Sequence, residues 1–146
     1  MRKVLCVCMT NTARSVMLAA LLRKVLGDES RVESAGASKK AREGSLANVY
    51  TDHLMRHRGF NLSGHQSRWF GDLDLTQFTH IVCVDEKTEE QVVSLLGGYR
   101  MIEVLVANER GGGIPLAQGA GWQEHRAALS IMERVAPDIA RQVRGE

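Results

Sequence analysis

Four short apolar runs punctuate the chain, and longer segments with apolar residues at helical spacing separate them. The runs are Val4-Leu5-Cys6-Val7, Arg31-Val32-Glu33-Ser34, Ile81-Val82-Cys83-Val84 and Met101-Ile102-Glu103-Val104-Leu105. Each has strand length and is bounded by polar or glycine-containing sequence. An alanine- and leucine-rich segment runs from Ser15, a good N-cap, to Gly27, a natural C′ residue. A second helix is predicted from Leu46 to Arg58, with Leu46, Tyr50, His53, Leu54 and His57 near one face and Gly59 as its stop. A short helix from Asp72 to Phe78 and another from Lys87 to Leu96 follow. The last helix spans Gln123 to Arg144, where Pro137 is expected to kink or split it. Strands alternating with helices imply one α/β domain over residues 1–146, a three-layer sandwich with a four-stranded parallel sheet and helices on both faces. Such sheets gather ligand-binding groups at the C-terminal ends of the strands. Cys8, Ser34-Ala35 and Asp85 all fall at such ends.

The junction of the first strand and helix carries the strongest chemical signal. It reads Cys8-Met9-Thr10-Asn11-Thr12-Ala13-Arg14-Ser15, a cysteine and an arginine separated by five residues. Backbone amides of such a loop can turn inward, the helix N-terminus adds its positive dipole end, and Arg14 adds a planar donor: together an anion cradle. The same field favours the thiolate form of Cys8, the nucleophilic form. The alternative is a polar loop between strand and helix with Cys8 as inert core filling.

Composition narrows the partners. A hydrophobic content of 44%, a charged content of 25% and a net charge of +2 suit a globular protein with an anionic substrate. No basic helix interleaved with aromatics argues for nucleic acid, and no apolar stretch approaches a membrane span. Three cysteines, an odd number, argue against a disulfide framework and for a reducing compartment. Met1-Arg2-Lys3 leads straight into a strand-length run, too short for a signal peptide, so a cytoplasmic location is expected. The His and Cys spacings offer no credible metal-ligand set, and no cofactor is expected.

With the Cys8–Ser15 loop, Glu33-Ser34-Ala35-Gly36, Gly59-Phe60-Asn61-Leu62-Ser63-Gly64-His65 and Val84-Asp85 in place, the chain resembles the low-molecular-weight protein-tyrosine phosphatases from Val4 to about Val135. Members carry Cys-x-Gly-Asn-x-Cys-Arg-Ser-Pro. The resemblance implies that Cys8 is the nucleophile that becomes phosphocysteine and that Arg14 clamps the phosphate oxygens. It implies that Ser15 hydrogen-bonds the sulfur, and that Asn11 holds the loop open in a left-handed conformation through bonds that include Ser34. Phosphorylated proteins or small phosphate esters are the implied substrates, and a monomer or weak dimer the implied state.

Three departures bear on function. The family's general acid is an Asp followed by Pro before the last helix, and Leu116-Ala117 stands in that place. Losing general acid catalysis typically costs about 10²–10⁴-fold for poor leaving groups. Glu109, Asp85, Glu124 and His125 are candidate replacements. The aromatic walls of the family's substrate slot are replaced by Lys39-Lys40 and Gln118-Gly119, leaving Trp122, Tyr99 or Trp69 as possible stacking surfaces. Ala13 replaces the second loop cysteine, and the rim Lys39, Lys40 and Arg42 suits an anionic substrate. Two other functions use the same loop: arsenate reduction, which needs further cysteines to resolve the Cys8 adduct, and non-catalytic binding of phosphate or a phosphoprotein.

Overall fold

The computed structural model describes residues 1–108, 112–117 and 119–146. Strands β1 (Arg2–Cys8), β2 (Ser30–Gly36), β3 (His80–Cys83) and β4 (Glu103–Val106) form one parallel sheet in the order β2-β1-β3-β4. The chain steps from β1 to β2 in one direction and from β3 to β4 in the other. Crossovers between parallel strands are right-handed, so this reversal sends the connecting helices to opposite faces. Helix α1 (Arg14–Leu26) lies on one face with α2 (Val49–His57) and α4 (Trp122–Arg144), and α3 (Glu86–Leu96) lies on the other. The strand order reverses between β1 and β3, and a crevice opens at their C-terminal ends.

Strand alternation distributes the core. Val4, Cys6 and Cys8 of β1 face the layer of α1 and α4, while Leu5 and Val7 face Phe70, Leu75, Phe78 and Val92. Helix α1 buries Ser15 through Leu22, and α4 covers it with His125, Ala128, Leu129, Met132, Val135, Ala136, Ile139, Ala140 and Val143 at helical spacing.

Several local features differ from the sequence expectations. Ser15 does not cap α1. Ala13 occupies the N-cap position, and the Ser15 side chain is engaged with Cys8 and Asn11. Helix α2 starts at Val49 because the Asn48 side chain accepts hydrogen bonds from the amides of Tyr50 and Thr51; Leu46 lies outside the helix and is exposed. Its buried positions are Thr51, Leu54 and Met55, so His53 and His57 point outward. In place of one short helix there are two 3₁₀ turns, Phe70–Asp72 and Leu75–Gln77, with Asp74 accepting from the Thr76 amide between them. The fourth strand begins at Glu103, set by pairing with His80, and leaves Met101 exposed. Helix α4 runs unbroken through Pro137, which lies on the exposed side where water can satisfy the carbonyl it deprives.

Candidate active site

Strand β1 delivers Cys8 to the crevice between β2 and β3, with Gly36 as its register partner on β2. The pairing continues past the strand end, as the amides of Ala37 and Ser38 donate to the carbonyls of Cys8 and Met9. Gly36 is required there: a Cβ would lie 2.5 Å from the Ala41 Cβ and 2.7 Å from the Met9 carbonyl oxygen. From Met9 to Ala13 the chain curls over the N-terminus of α1, and no side chain among the described residues caps that terminus. Its first-turn amides are thus free for an anion.

Asn11 determines the shape of the loop. Among the described residues it is the one non-glycine residue with positive φ, at 60°, and it is fully buried. Its Nδ2 donates to Ser15 Oγ (2.9 Å) and Ser34 Oγ (3.0 Å), and its Oδ1 accepts the Arg68 amide (3.0 Å). Its own amide donates to Cys8 Sγ (3.3 Å). Ser15 Oγ lies 2.9 Å from Cys8 Sγ. Because Ser15 Oγ already accepts from Asn11, its hydroxyl proton is free to point at the sulfur. His65 Nε2 donates to the Asn11 carbonyl at 2.7 Å. Burial holds the His65 pKa below the ordinary imidazole value and outweighs that bond, so the ring stays neutral near pH 7.

Arg14 is fixed from the far side of the crevice. Its Nη1 donates to Asp85 Oδ2 (2.7 Å) and to the Ile114 carbonyl (2.9 Å). Among the described residues no partner engages Nε or Nη2, which leaves those two donors for an oxyanion. Burial works to raise the Asp85 pKa, but hydrogen bonds from Thr88 and Arg14 more than offset it and the net shift is downward. Asp85 also caps α3 through the Thr88 amide (2.8 Å). Gly113 brings the returning loop against this pair, since a Cβ there would lie 2.6 Å from the Asp85 Cβ.

Cys8, Met9, Thr10, Thr12, Ala13 and Arg14 line a cleft of about 950 Å³. Its walls are Ser38, Lys40, Glu43, Asn48, Tyr50, Lys87, Leu116, Ala117 and His125. Asn11, Ser15 and Ser34 support the loop from behind. The sequence candidates for an aromatic wall are elsewhere: Trp69 packs under Lys39 and Arg42, and neither Tyr99 nor Trp122 lines the cleft. Tyr50 takes that place, held edge-on by Trp122 at 4.8 Å and tilted against His125 at 5.1 Å. The sequence offered one signal for it, Asn48 as an N-cap, which places Tyr50 in the first turn of α2.

Of the four candidate acids, Asp85 is committed to Arg14, and Glu124 accepts the Gly121 amide at 3.0 Å without lining the cleft. Glu109 lies outside the described residues, as does Gln118 of the second wall position. His125 lines the cleft.

The other thiols do not reach Cys8 chemistry. Cys6 and Cys83 are free and fully buried. Burial pushes the Cys6 thiol up and the Cys83 thiol up to about 12, so both are protonated at neutral pH. Oxidised Cys8 therefore has no internal thiolate to capture its sulfenic acid. Brief hydrogen peroxide treatment is expected to inactivate the protein, and dithiothreitol restores activity only before the sulfinic stage. Mass spectrometry should find sulfinic acid on Cys8; an internal disulfide would refute this.

Comparison with known proteins gives a consistent result. The family model of the low molecular weight phosphotyrosine protein phosphatases matches residues 3–109. A search of curated protein sequences finds no match. Among solved structures, Wzb from Vibrio vulnificus in complex with benzylphosphonate superposes with a TM-score of 0.86 at 20% identity, covering 97% of this chain and 98% of that one. The YwlE arginine phosphatase from Geobacillus stearothermophilus gives 0.86 at 23% identity, covering 99% and 94%. A protein tyrosine phosphatase from Entamoeba histolytica gives 0.86 at 19%, covering 99% of each chain.

Proposed function

The chain belongs to the low molecular weight phosphotyrosine protein phosphatase family, and from that premise we propose that Cys8 hydrolyses phosphomonoesters through a phosphocysteine intermediate. The observation that carries this reading is the Cys8 sulfur, 2.9 Å from Ser15 Oγ, on the floor of a cleft that also presents Arg14. The Cys8 thiolate attacks phosphorus and the bond to the leaving oxygen breaks. Loop amides other than that of Asn11, with the Nε and Nη2 of Arg14, receive the equatorial oxygens, where they stabilise charge that develops in the transition state. Ser15 steadies the sulfur as nucleophile and as leaving group. Water then cleaves the S–P bond and releases phosphate.

Tyr50 supports an aryl phosphate, phosphotyrosine in a protein, as the substrate, since its ring offers the stacking surface otherwise missing from the cleft. Arsenate reduction is disfavoured by the burial of Cys6 and Cys83, which removes the resolving thiols that chemistry needs. Three free thiols suit a reducing, cytoplasmic compartment, and no described helix is long and apolar enough to cross a membrane. We take residues 1–146 to act as one domain, as a monomer or weak dimer.

Brief mixing with p-nitrophenyl phosphate, acid quenching and peptide mapping should find phosphate on Cys8. Phosphate on another residue, or on none while p-nitrophenol is released in a burst, would refute the intermediate. Phosphotyrosine and phosphoarginine peptides compared in the same assay test the substrate: faster release from phosphoarginine would displace phosphotyrosine.

A further inference from the structure

The sequence resemblance puts Leu116 where the family has its carboxylic acid; on that placement the leaving oxygen needs another proton donor, and the cleft presents one. His125 sits in the first turn of α4, is 2% exposed and shares the cleft wall with Leu116. Its Nδ1 lies 2.8 Å from the Gly121 carbonyl oxygen. A carbonyl only accepts, so Nδ1 carries a hydrogen and the ring orientation is fixed. The neutral ring therefore has its lone pair on Nε2, and among the described residues no partner occupies that atom. Protonation of the ring adds the second proton there. The Tyr50 ring, tilted at 5.1 Å, packs beside the imidazole and limits its rotation.

We propose that His125 is the general acid of this phosphatase, delivering its Nε2 proton to the leaving oxygen as the bond from phosphorus breaks. This rests on the phosphocysteine reading above. As the S–P bond forms, the ester oxygen takes the proton and departs as a neutral alcohol or phenol, leaving His125 neutral. In the second step Nε2 accepts a proton from the attacking water as the S–P bond breaks, which restores the imidazolium and the Cys8 thiolate. Asp85 cannot take this part, because its carboxylate is held ionised by Arg14 and Thr88. The charged groups that share the cleft with His125 are Arg14, Lys40 and Lys87 as cations and Glu43 as an anion, beside the Cys8 sulfur. Glu124 lies one residue before it in α4, bound to the Gly121 amide.

The test compares kcat/KM on p-nitrophenyl phosphate and phenyl phosphate, whose leaving groups differ in their need for a proton. In the parent the two differ modestly. In His125→Asn, whose amide nitrogen can keep the bond to Gly121, the loss grows with leaving-group pKa and reaches about 10²-fold or more on phenyl phosphate. His125→Gln, with an N–H near the Nε2 position but no acidity, should follow His125→Asn. Equal losses on both substrates, or none, would overturn the assignment, as would transfer of the leaving-group dependence to Glu109→Gln. Should both variants fail to fold, a parent already steeply dependent on leaving-group pKa overturns it, and a shallow dependence supports it. A parent inert toward p-nitrophenyl phosphate would instead refute the phosphocysteine reading itself.

Discussion

Cys8→Ser abolishes turnover of p-nitrophenyl phosphate, by about 10⁴-fold or more, while the folded protein still binds phosphate or tungstate. The first half follows from the division of labour in the loop. In the mechanism proposed above, Arg14 and the loop amides bind charge while the Cys8 thiolate forms the covalent intermediate, and removing the nucleophile of such a unit costs about as much as removing the unit. The second half follows from geometry: Arg14 is held by Asp85 and Ile114, and the loop by the Asn11 side-chain bonds to Ser15, Ser34 and the Arg68 amide, contacts that do not involve the sulfur. Oxyanion binding measured by calorimetry alongside the assay reads both. Loss of binding together with turnover would show that the sulfur shapes the cradle, and retained turnover would exclude covalent catalysis by Cys8.

Asn11→Ala is the second large effect, and it is felt in stability and activity together. The substitution removes three side-chain hydrogen bonds from a fully buried residue and leaves Ser34, Ser15 and the Arg68 amide short of partners. It also places a Cβ-bearing residue without compensating bonds at φ 60°, which costs an L-residue about 1–2 kcal/mol. A total of about 3–4 kcal/mol is expected, a fall in melting temperature of roughly 6–16 °C for a domain of this size. Because the Asn11 amide also donates to the sulfur, kcat/KM should drop by about 10²-fold. Asn11→Gly separates the contributions, since glycine accepts the left-handed conformation but makes none of the bonds. Its stability should lie between those of the parent and Asn11→Ala. A melting temperature unchanged in Asn11→Ala would show that the network carries no stability.

The parts of the fold that were legible in the sequence are those fixed by local pattern. Val4 to Val7 and Ile81 to Val84 read as buried strands because both faces of the sheet are covered, and Gly27 and Gly59 mark where helices stop. The loop from Cys8 to Ser15 was legible because its chemistry is contiguous. What escaped was set by partners far away in the chain. Glu103 rather than Met101 starts β4 because His80 fixes the register. Asp85 reads as a free acid until Arg14, 71 residues away, is seen to hold it. Tyr50 reads as part of a buried face until the Asn48 cap sets the start of α2. Ser15 has the right residue type for a cap, but the sulfur and Asn11 claim its hydroxyl.

The central position of β1 has a consequence for the order of events as the chain is made. Parallel partners cannot be reached through a tight turn, so β1 pairs with β2 only after α1 has formed and with β3 only after some seventy further residues exist. Contacts so distant in sequence form slowly. Asn11 depends on Ser34 and Arg68, and Arg14 on Asp85 and Ile114. A nascent chain emerging from the ribosome therefore carries Cys8 without its assembled cradle until residues as far along as Ile114 have arrived.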